Sequence, residues 1–166
     1  TQVDITKEMN AFLDVLEKYN VSVLRPENIV GLNQVFARDL GFVIGNTLII
    51  SNVINNRSKE IPAIDNIINL IPSQKVLKLS KELTIEGGDV SVYKNHVFIG
   101  YSDSVDIEKY KVARTNQSAV DFISNEFQNY KVMGFELFKS DQDKNENTLH
   151  LDCCFQPVGN QYAIIA

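Results

Sequence analysis

Three apolar hairpins, each entered through an aspartate, constrain the fold of this chain more than any other feature. Asp39 leads into LGFVIGNTLIIS, Asp89 into VSVYKNHVFIG and Asp152 into CCFQPVGNQYAIIA. The polar clusters that carry them are Phe36-Ala37-Arg38-Asp39, Glu86-Gly87-Gly88-Asp89 and His150-Leu151-Asp152. A repeat that sets an acid at the same corner of each unit gathers negative charge at one point. Carboxylates crowded together repel one another unless a cation neutralises them. The pattern therefore predicts a cation-handling site.

The stretches between the hairpins extend the repeat. Residues 42–44 and 47–51 read as two strands around Gly45-Asn46, a pair that tolerates positive φ in a tight turn. Residues 61–71 read as a helix with Pro62 in its first turn and Ile64, Ile67, Ile68 and Ile71 on one face, followed by a strand over 76–79. The second unit repeats the order: strands over 90–93 and 97–99 around Lys94-Asn95, a helix over 116–127, and a strand over 132–138. A third unit begins at Thr148, with His150, Leu151 and Asp152 on its first strand and a turn at Gly159-Asn160. The order strand, strand, helix, strand thus recurs about every 50–60 residues, a period typical of repeat architectures. Ahead of it, residues 7–19 carry a helical stripe of Met9, Phe12, Leu13 and Leu16, capped by Asp4 or Thr6, and residues 21–24 read as a short strand. Residues 103–111 form a charged excursion between strand and helix, and 140–147 a solvated loop.

Composition narrows the partners. With 166 residues and 44% hydrophobic content, the chain is long enough to bury a core as one domain. Its net charge of −5 and lack of a basic run argue against nucleic acid, since no surface supplies counterion release. No apolar stretch approaches the roughly 20 residues that span a bilayer, and no signal peptide precedes the first helix. The two cysteines, Cys153 and Cys154, are adjacent; on a strand they point to opposite faces and form no disulfide framework. A reducing, cytoplasmic location is expected. The chain starts at Thr1 and stops directly after an apolar strand, which suggests a piece of something longer, and open strand edges are expected to favour a homo-oligomer.

Taken one at a time, the clusters read blandly. Glu86-Gly87-Gly88-Asp89 alone is a turn with solvated acids, although its two glycines permit a tight approach of Glu86 to a bound group. His150 and Asp152 share one face of their expected strand, and a carboxylate beside an imidazole raises its pKa and makes a proton donor; alone, the pair is structural. His96 has no such neighbour and reads as structural. Arg38-Asp39 is an ordinary surface pair. The repeat changes the balance, because Asp39, Asp89 and Asp152 occupy equivalent corners. No compact metal-ligand spacing is visible, so no metal is expected. A planar guanidinium, whose N–H fork pairs bidentately with carboxylate, fits better.

These motifs resemble the arginine deiminase, dimethylargininase and amidinotransferase superfamily. The resemblance rests on F-A-R-D at 36–39, N-R-x-x-E at 56–60, E-G-G-D-V at 86–90, R-T-N at 114–116 and H-L-D at 150–152, all in family order over about residues 33–166. It implies an α/β pentein fold, a propeller of β-β-α-β modules around a central site. Residues 1–166 are then an incomplete set within one catalytic domain, lacking N- and C-terminal modules. It implies that Asp39 and Asp152 grip the guanidinium nitrogens. His150 acts as general acid and base with help from Glu86, Asp89 supports the Gly87-Gly88 turn, and Arg57 and Arg114 hold a substrate carboxylate. A cysteine thiolate attacks the guanidine carbon, and water or an amine completes hydrolysis or transfer; no cofactor is implied. Neither Cys153 nor Cys154 matches the nucleophile, which the family keeps near its C-terminus, so these residues alone are expected to be inactive. The alternatives are a non-catalytic pentein-fold binding module and a metal-binding β domain.

Overall fold

A computed structural model describes residues 2–166. Helix α1 spans Gln2–Lys18. It starts earlier than its stripe suggested, with Asp4 inside its first turn rather than ahead of it. Leu13 and Leu16 are half-buried, while Met9 and Phe12 stay exposed. The expected strand over 21–24 is absent, and those residues are exposed. An extended segment becomes a strand only when a neighbour takes up its N–H and C=O groups, and no other strand pairs with this one.

The repeat is real. Strands β1 (Gly41–Ile44) and β2 (Thr47–Ile50) pair antiparallel, and β3 (Val76–Lys78) adds to β2 in parallel. Strands β4 (Val90–Tyr93), β5 (His96–Tyr101) and β6 (Lys131–Glu136) repeat that sheet order and those directions. The last pair, β7 (Phe155–Val158) and β8 (Tyr162–Ile165), forms a third hairpin. The result is a mixed α/β fold of small separate sheets. The three hairpin turns carry positive φ at equivalent positions: Gly45 at 59°, Lys94 at 54° and Gly159 at 59°. Lys94 adopts a conformation that a Cβ disfavours, and its ammonium lies 5.0 Å from the Tyr93 ring centroid.

The connecting helices differ between units. In the second unit, helix α4 (Gln117–Glu126) is capped by Asn116, whose side chain accepts from the Ala119 N–H. In the first unit the expected helix over 61–71 shrinks to α2 (Asp65–Ile68), preceded by a 3₁₀ run over Asn55–Ile64. Three residues per turn put Arg57 and Glu60 on the same side of that run, and the two form an ion pair at 2.9 Å. The charged excursion contains helix α3 (Ser104–Lys109), started by Asp103 as N-cap. Residues 144–146 make a single 3₁₀ turn in the mostly exposed loop.

One core serves both complete units. Ile44 and Ile49 of the first sheet pack with Leu83, Ile85, Val90, Val97 and Ile99, and Ala119, Val120 and Ile123 of α4 close it. Because Ile123 is fully buried there, Ile123→Ala is expected to cost about 2–5 kcal/mol, from lost transfer energy plus a cavity. Urea unfolding of the variant beside the parent checks this; a loss under 1 kcal/mol contradicts the packing described.

Candidate functional site

Each aspartate corner is a single 3₁₀ turn that feeds a hairpin: Ala37–Leu40, Gly87–Asp89 and Leu151–Cys153. This corrects the reading of His150, Leu151 and Asp152 as a strand. His150 is extended and precedes the turn, and Asp152 lies inside it. The strand alternation that predicted a shared face is therefore absent, although His150 and Asp152 still line one cavity. The two cysteines follow the same turn and do not alternate on a strand: Cys153 is exposed and Cys154 half-buried.

Glu86 is the hub. It is completely buried, and both oxygens are occupied. Oε2 accepts from His150 Nε2 at 3.0 Å and Arg57 Nη1 at 3.2 Å. Oε1 accepts from the Ile54 N–H at 3.2 Å and lies 3.5 Å from Arg114 Nη1. Burial alone pushes its pKa up, but the His150 hydrogen bond, the Arg114 charge and the Ile54 amide outweigh burial, so the carboxyl titrates below its ordinary value. His150 shows the counterpart. Burial opposes its charge, while Glu86, Asp89 and Asp39 favour it and hold its pKa above the usual value. With Nε2 committed to Glu86, Nδ1 is the remaining ring nitrogen, 3.9 Å from Asp39 Oδ1.

Arg57 stands within the same carboxylates. Its Nη1 lies 2.6 Å from Asp39 Oδ2, and its Nε and Nη2 pair with Glu60 at 3.0 and 2.9 Å. Nη2 also donates to the Phe36 carbonyl. The Glu60 hydrogen bonds, working against burial and aided by Asp39 and Glu86, raise its pKa still further. The structure thus places one guanidinium among acids from two units. Arg114 borders the same cavity, with Nε and Nη1 buried and without hydrogen-bond partners. Asp152 is part-exposed and pairs with Arg38 Nε at 2.9 Å, while Arg38 Nη2 donates to the Val90 carbonyl. Asp39, Glu86 and His150 each offer a ligand atom within 4.8 Å of the others, enough for a metal ion; Arg57 already brings positive charge to two of them.

Asp89 sits beneath this cluster rather than in it. Its Oδ2 accepts from Thr115 Oγ1 at 2.6 Å and its Oδ1 from the Leu151 N–H at 3.0 Å. Burial pushes its pKa up to about 6, against the pull of His150, Thr115 and Lys139. The two glycines are required by space. A Cβ on Gly87 would lie 2.1 Å from the Arg38 carbonyl oxygen, and one on Gly88 2.7 Å from His150 Nδ1 and 2.8 Å from Asp39 Oδ1. Sequence reasoning missed Glu60 as the bidentate partner of Arg57, and Thr115 as the group that joins Asp89 to the Glu86 N–H. It also missed Lys139, which is buried and donates to the carbonyls of Thr148 and Leu149 ahead of His150. The first two lie inside N-R-x-x-E and R-T-N and could have been weighed there; Lys139 carried no local signal.

The site opens into a cavity of about 680 Å³ lined by Asp39, Arg57, Glu60, Arg114, His150 and Asp152, with Cys153 at its margin. Gly31, Leu32 and Asn33 form another part of its wall. No helix among the described residues is long and apolar enough to cross a membrane.

Comparison with known proteins gives the family. Residues 1–166 match the model of the family described as N,N dimethylarginine dimethylhydrolase, eukaryotic, and the chain belongs to that family. The uncharacterized protein YkgA of Bacillus subtilis (strain 168) is 29% identical over 155 residues, which are 92% of this chain and 48% of YkgA. DDAH from Pseudomonas aeruginosa, a cysteine-to-serine mutant complexed with citrulline, matches with a TM-score of 0.70 and 22% identity, over 90% of this chain and 53% of that one. SxtG, an amidinotransferase from Microseira wollei in the saxitoxin biosynthetic pathway, matches with a TM-score of 0.77 and 18% identity, over 96% and 54%. The chain spans about half the length of each of these relatives. Membership of the superfamily read from the motifs is borne out.

Two titrations follow. The His150 pKa is raised, so its ion pair stabilises the fold fully below the unfolded-state value and is lost as pH rises through the folded one. Glu86→Gln removes the carboxylate hydrogen bond that most favours the imidazolium, and the His150 ring signals in NMR are expected to titrate at lower pH than in the parent. Asp89 acts in the opposite sense to an ion-paired carboxylate: with a folded pKa of about 6, ionising it costs stability as pH rises from about 4 to 6. Asp89→Asn keeps an acceptor for the Leu151 N–H and is expected to flatten that part of the stability profile, measured by urea midpoints at each pH.

Proposed function

We propose that this chain carries the guanidinium-gripping and proton-handling half of a guanidine-modifying enzyme, active on arginine-like small molecules. The observation that supports it most is the Arg57 guanidinium seated against Asp39, Glu86 and Glu60 beside a buried His150. The pocket's carboxylates therefore suit the charge and shape of the group to be modified. Asp39 Oδ1 accepts no hydrogen bond among the described residues and remains for a substrate nitrogen. Asp152 is the second carboxylate at the cavity wall. The donors of Arg57 are committed to acids, which leaves Arg114 as the better partner for a substrate carboxylate. Asp89, Gly87 and Gly88 hold the turn under the site.

The chemistry is covalent catalysis on the guanidine carbon. A cysteine thiolate adds to that carbon, the C–N bond to the departing amine breaks, and His150 Nδ1 gives the amine its proton. Glu86 keeps the imidazolium charged and oriented for that transfer. His150 then takes a proton from water, or from an acceptor amine, as it attacks the amidino-thiol carbon and expels the thiolate. Cys154 is a poor nucleophile here, because burial holds its thiol above its usual pKa. Cys153 Sγ donates to Asp152 Oδ1 at 3.8 Å, and the family resemblance places no nucleophile directly after H-L-D. The reading therefore takes the nucleophile from outside these residues, in a further module of a pentein propeller, within a cytoplasmic protein.

On its own, the 166-residue chain is expected to release no citrulline, urea or ammonia from arginine, methylated arginines or agmatine. In a protein joining it to the nucleophile, His150→Ala is expected to lower kcat by at least about 100-fold, the usual worth of a positioned acid–base group. Near-parental activity in that variant would remove the proton donor. A protein that folds, binds guanidino compounds and turns none over would favour the non-catalytic binding module.

A further inference from the structure

The buried ammonium of Lys139 takes no part in the proposed chemistry. Lys139 follows β6, is 7% exposed and does not line the guanidinium cavity. Its Nζ donates to the Thr148 carbonyl at 2.7 Å and to the Leu149 carbonyl at 2.8 Å. These two residues stand immediately ahead of His150. The Thr148 N–H in turn donates to the Phe138 carbonyl at 2.9 Å. The end of β6 and the His150 segment are thus tied together across the base of the 140–147 loop. On the far side of His150, the Leu151 N–H donates to Asp89 Oδ1 at 3.0 Å, and Thr115 Oγ1 holds the other oxygen of Asp89. Burial lowers the Lys139 pKa, and Asp89 favours the Lys139 charge. Two buried groups of opposite charge, both from the second unit, therefore hold the backbone on either side of His150.

The His150 ring has little room to move. A Cβ on Gly88 would lie 2.7 Å from its Nδ1, and its Nε2 stands 3.0 Å from Glu86 Oε2. A hydrogen bond weakens steeply as it bends, so a shift of the 148–149 backbone is felt at that bond. A methionine at 139 would fill similar space without desolvating a charge. What the ammonium adds is three donors on one atom, enough to hold both carbonyls at once. We propose that Lys139 is a positioning residue for His150: by gripping the Thr148 and Leu149 carbonyls it fixes the imidazole against Glu86 for proton transfer to the departing amine. Lys139 touches neither substrate nor the reacting atoms, and it lies outside every motif of the family resemblance. The inference rests on the reading of His150 as the proton donor.

The first test is NMR of the ¹⁵N-labelled 166-residue chain, which requires no turnover. In the parent, the His150 Nε2–H bonded to Glu86 is expected as a downfield ring proton in slow exchange with water. Lys139→Met is expected to remove that signal or move it upfield. The second test is steady-state kinetics in a protein joining the chain to the nucleophile. There Lys139→Met is expected to lower kcat by about 10- to 100-fold with KM near the parental value, since a misplacement of about 1 Å can cost that much. Lys139→Gln keeps N–H donors but is one bond too short to hold both carbonyls; it is expected to give the same changes, and it replaces the methionine variant should that one not fold. A lysine with a purely structural role would lower the urea midpoint and leave the His150 proton and the kcat of the folded protein as in the parent. That result in either variant overturns the proposal. An active His150→Ala protein would instead remove the proton donor itself, while the NMR comparison still decides whether Lys139 places the ring.

Discussion

The structure turns on a carboxylate held away from water. Glu86 sits at the centre of the two complete units and the third corner, and a buried ion of this kind costs several kcal/mol unless its lone pairs are met. It is met by Arg57 from the first unit, Arg114 from its own and His150 from the third. Each partner reaches Glu86 only if the three corners stand in their observed arrangement. Removing one would leave an uncompensated charge, so the network disfavours other packings of the repeats.

The glycine pair follows from that demand. Three corner turns crowd around one carboxylate, and the Gly87–Gly88 backbone is the surface over which they meet. Arg38 and Gly41 oxygens close on Gly87, while His150 and Asp39 close on Gly88. Beneath them Asp89 holds the backbone of Leu151 through its carboxylate and fixes the third corner against the second. The same acid-rich point that disfavours a neutral imidazole also suits a guanidinium. Structural stability and the proposed chemistry thus draw on one set of charges.

The hairpins were legible because alternation and turn residues are local signals. The boundaries of β1, β2, β4 and α4 fall within two residues of their expected positions. What failed depended on distant contacts. The apolar stripe over 61–71 suggested one helix, but Arg57 is drawn to Asp39 and Glu86 and holds Glu60 three residues on, and the segment before α2 tightens into 3₁₀ geometry. The H-L-D segment alternates like a strand, yet its corner winds into a turn because the Leu151 N–H is taken by Asp89.

The sequence by itself determined that acids would recur ahead of hairpins, and that a histidine and two arginines would accompany them in a family order. Those are properties of neighbouring residues and of spacing. Only the tertiary structure decided which charges meet. Asp39, Asp89 and Asp152 hold equivalent corners, but Asp39 joins Glu86 and His150 in the cluster, Asp89 goes underneath, and Asp152 pairs with Arg38 at the cavity wall. The direction of a side chain leaving a turn is set by close contacts between units far apart in the chain, and no local pattern encodes those contacts.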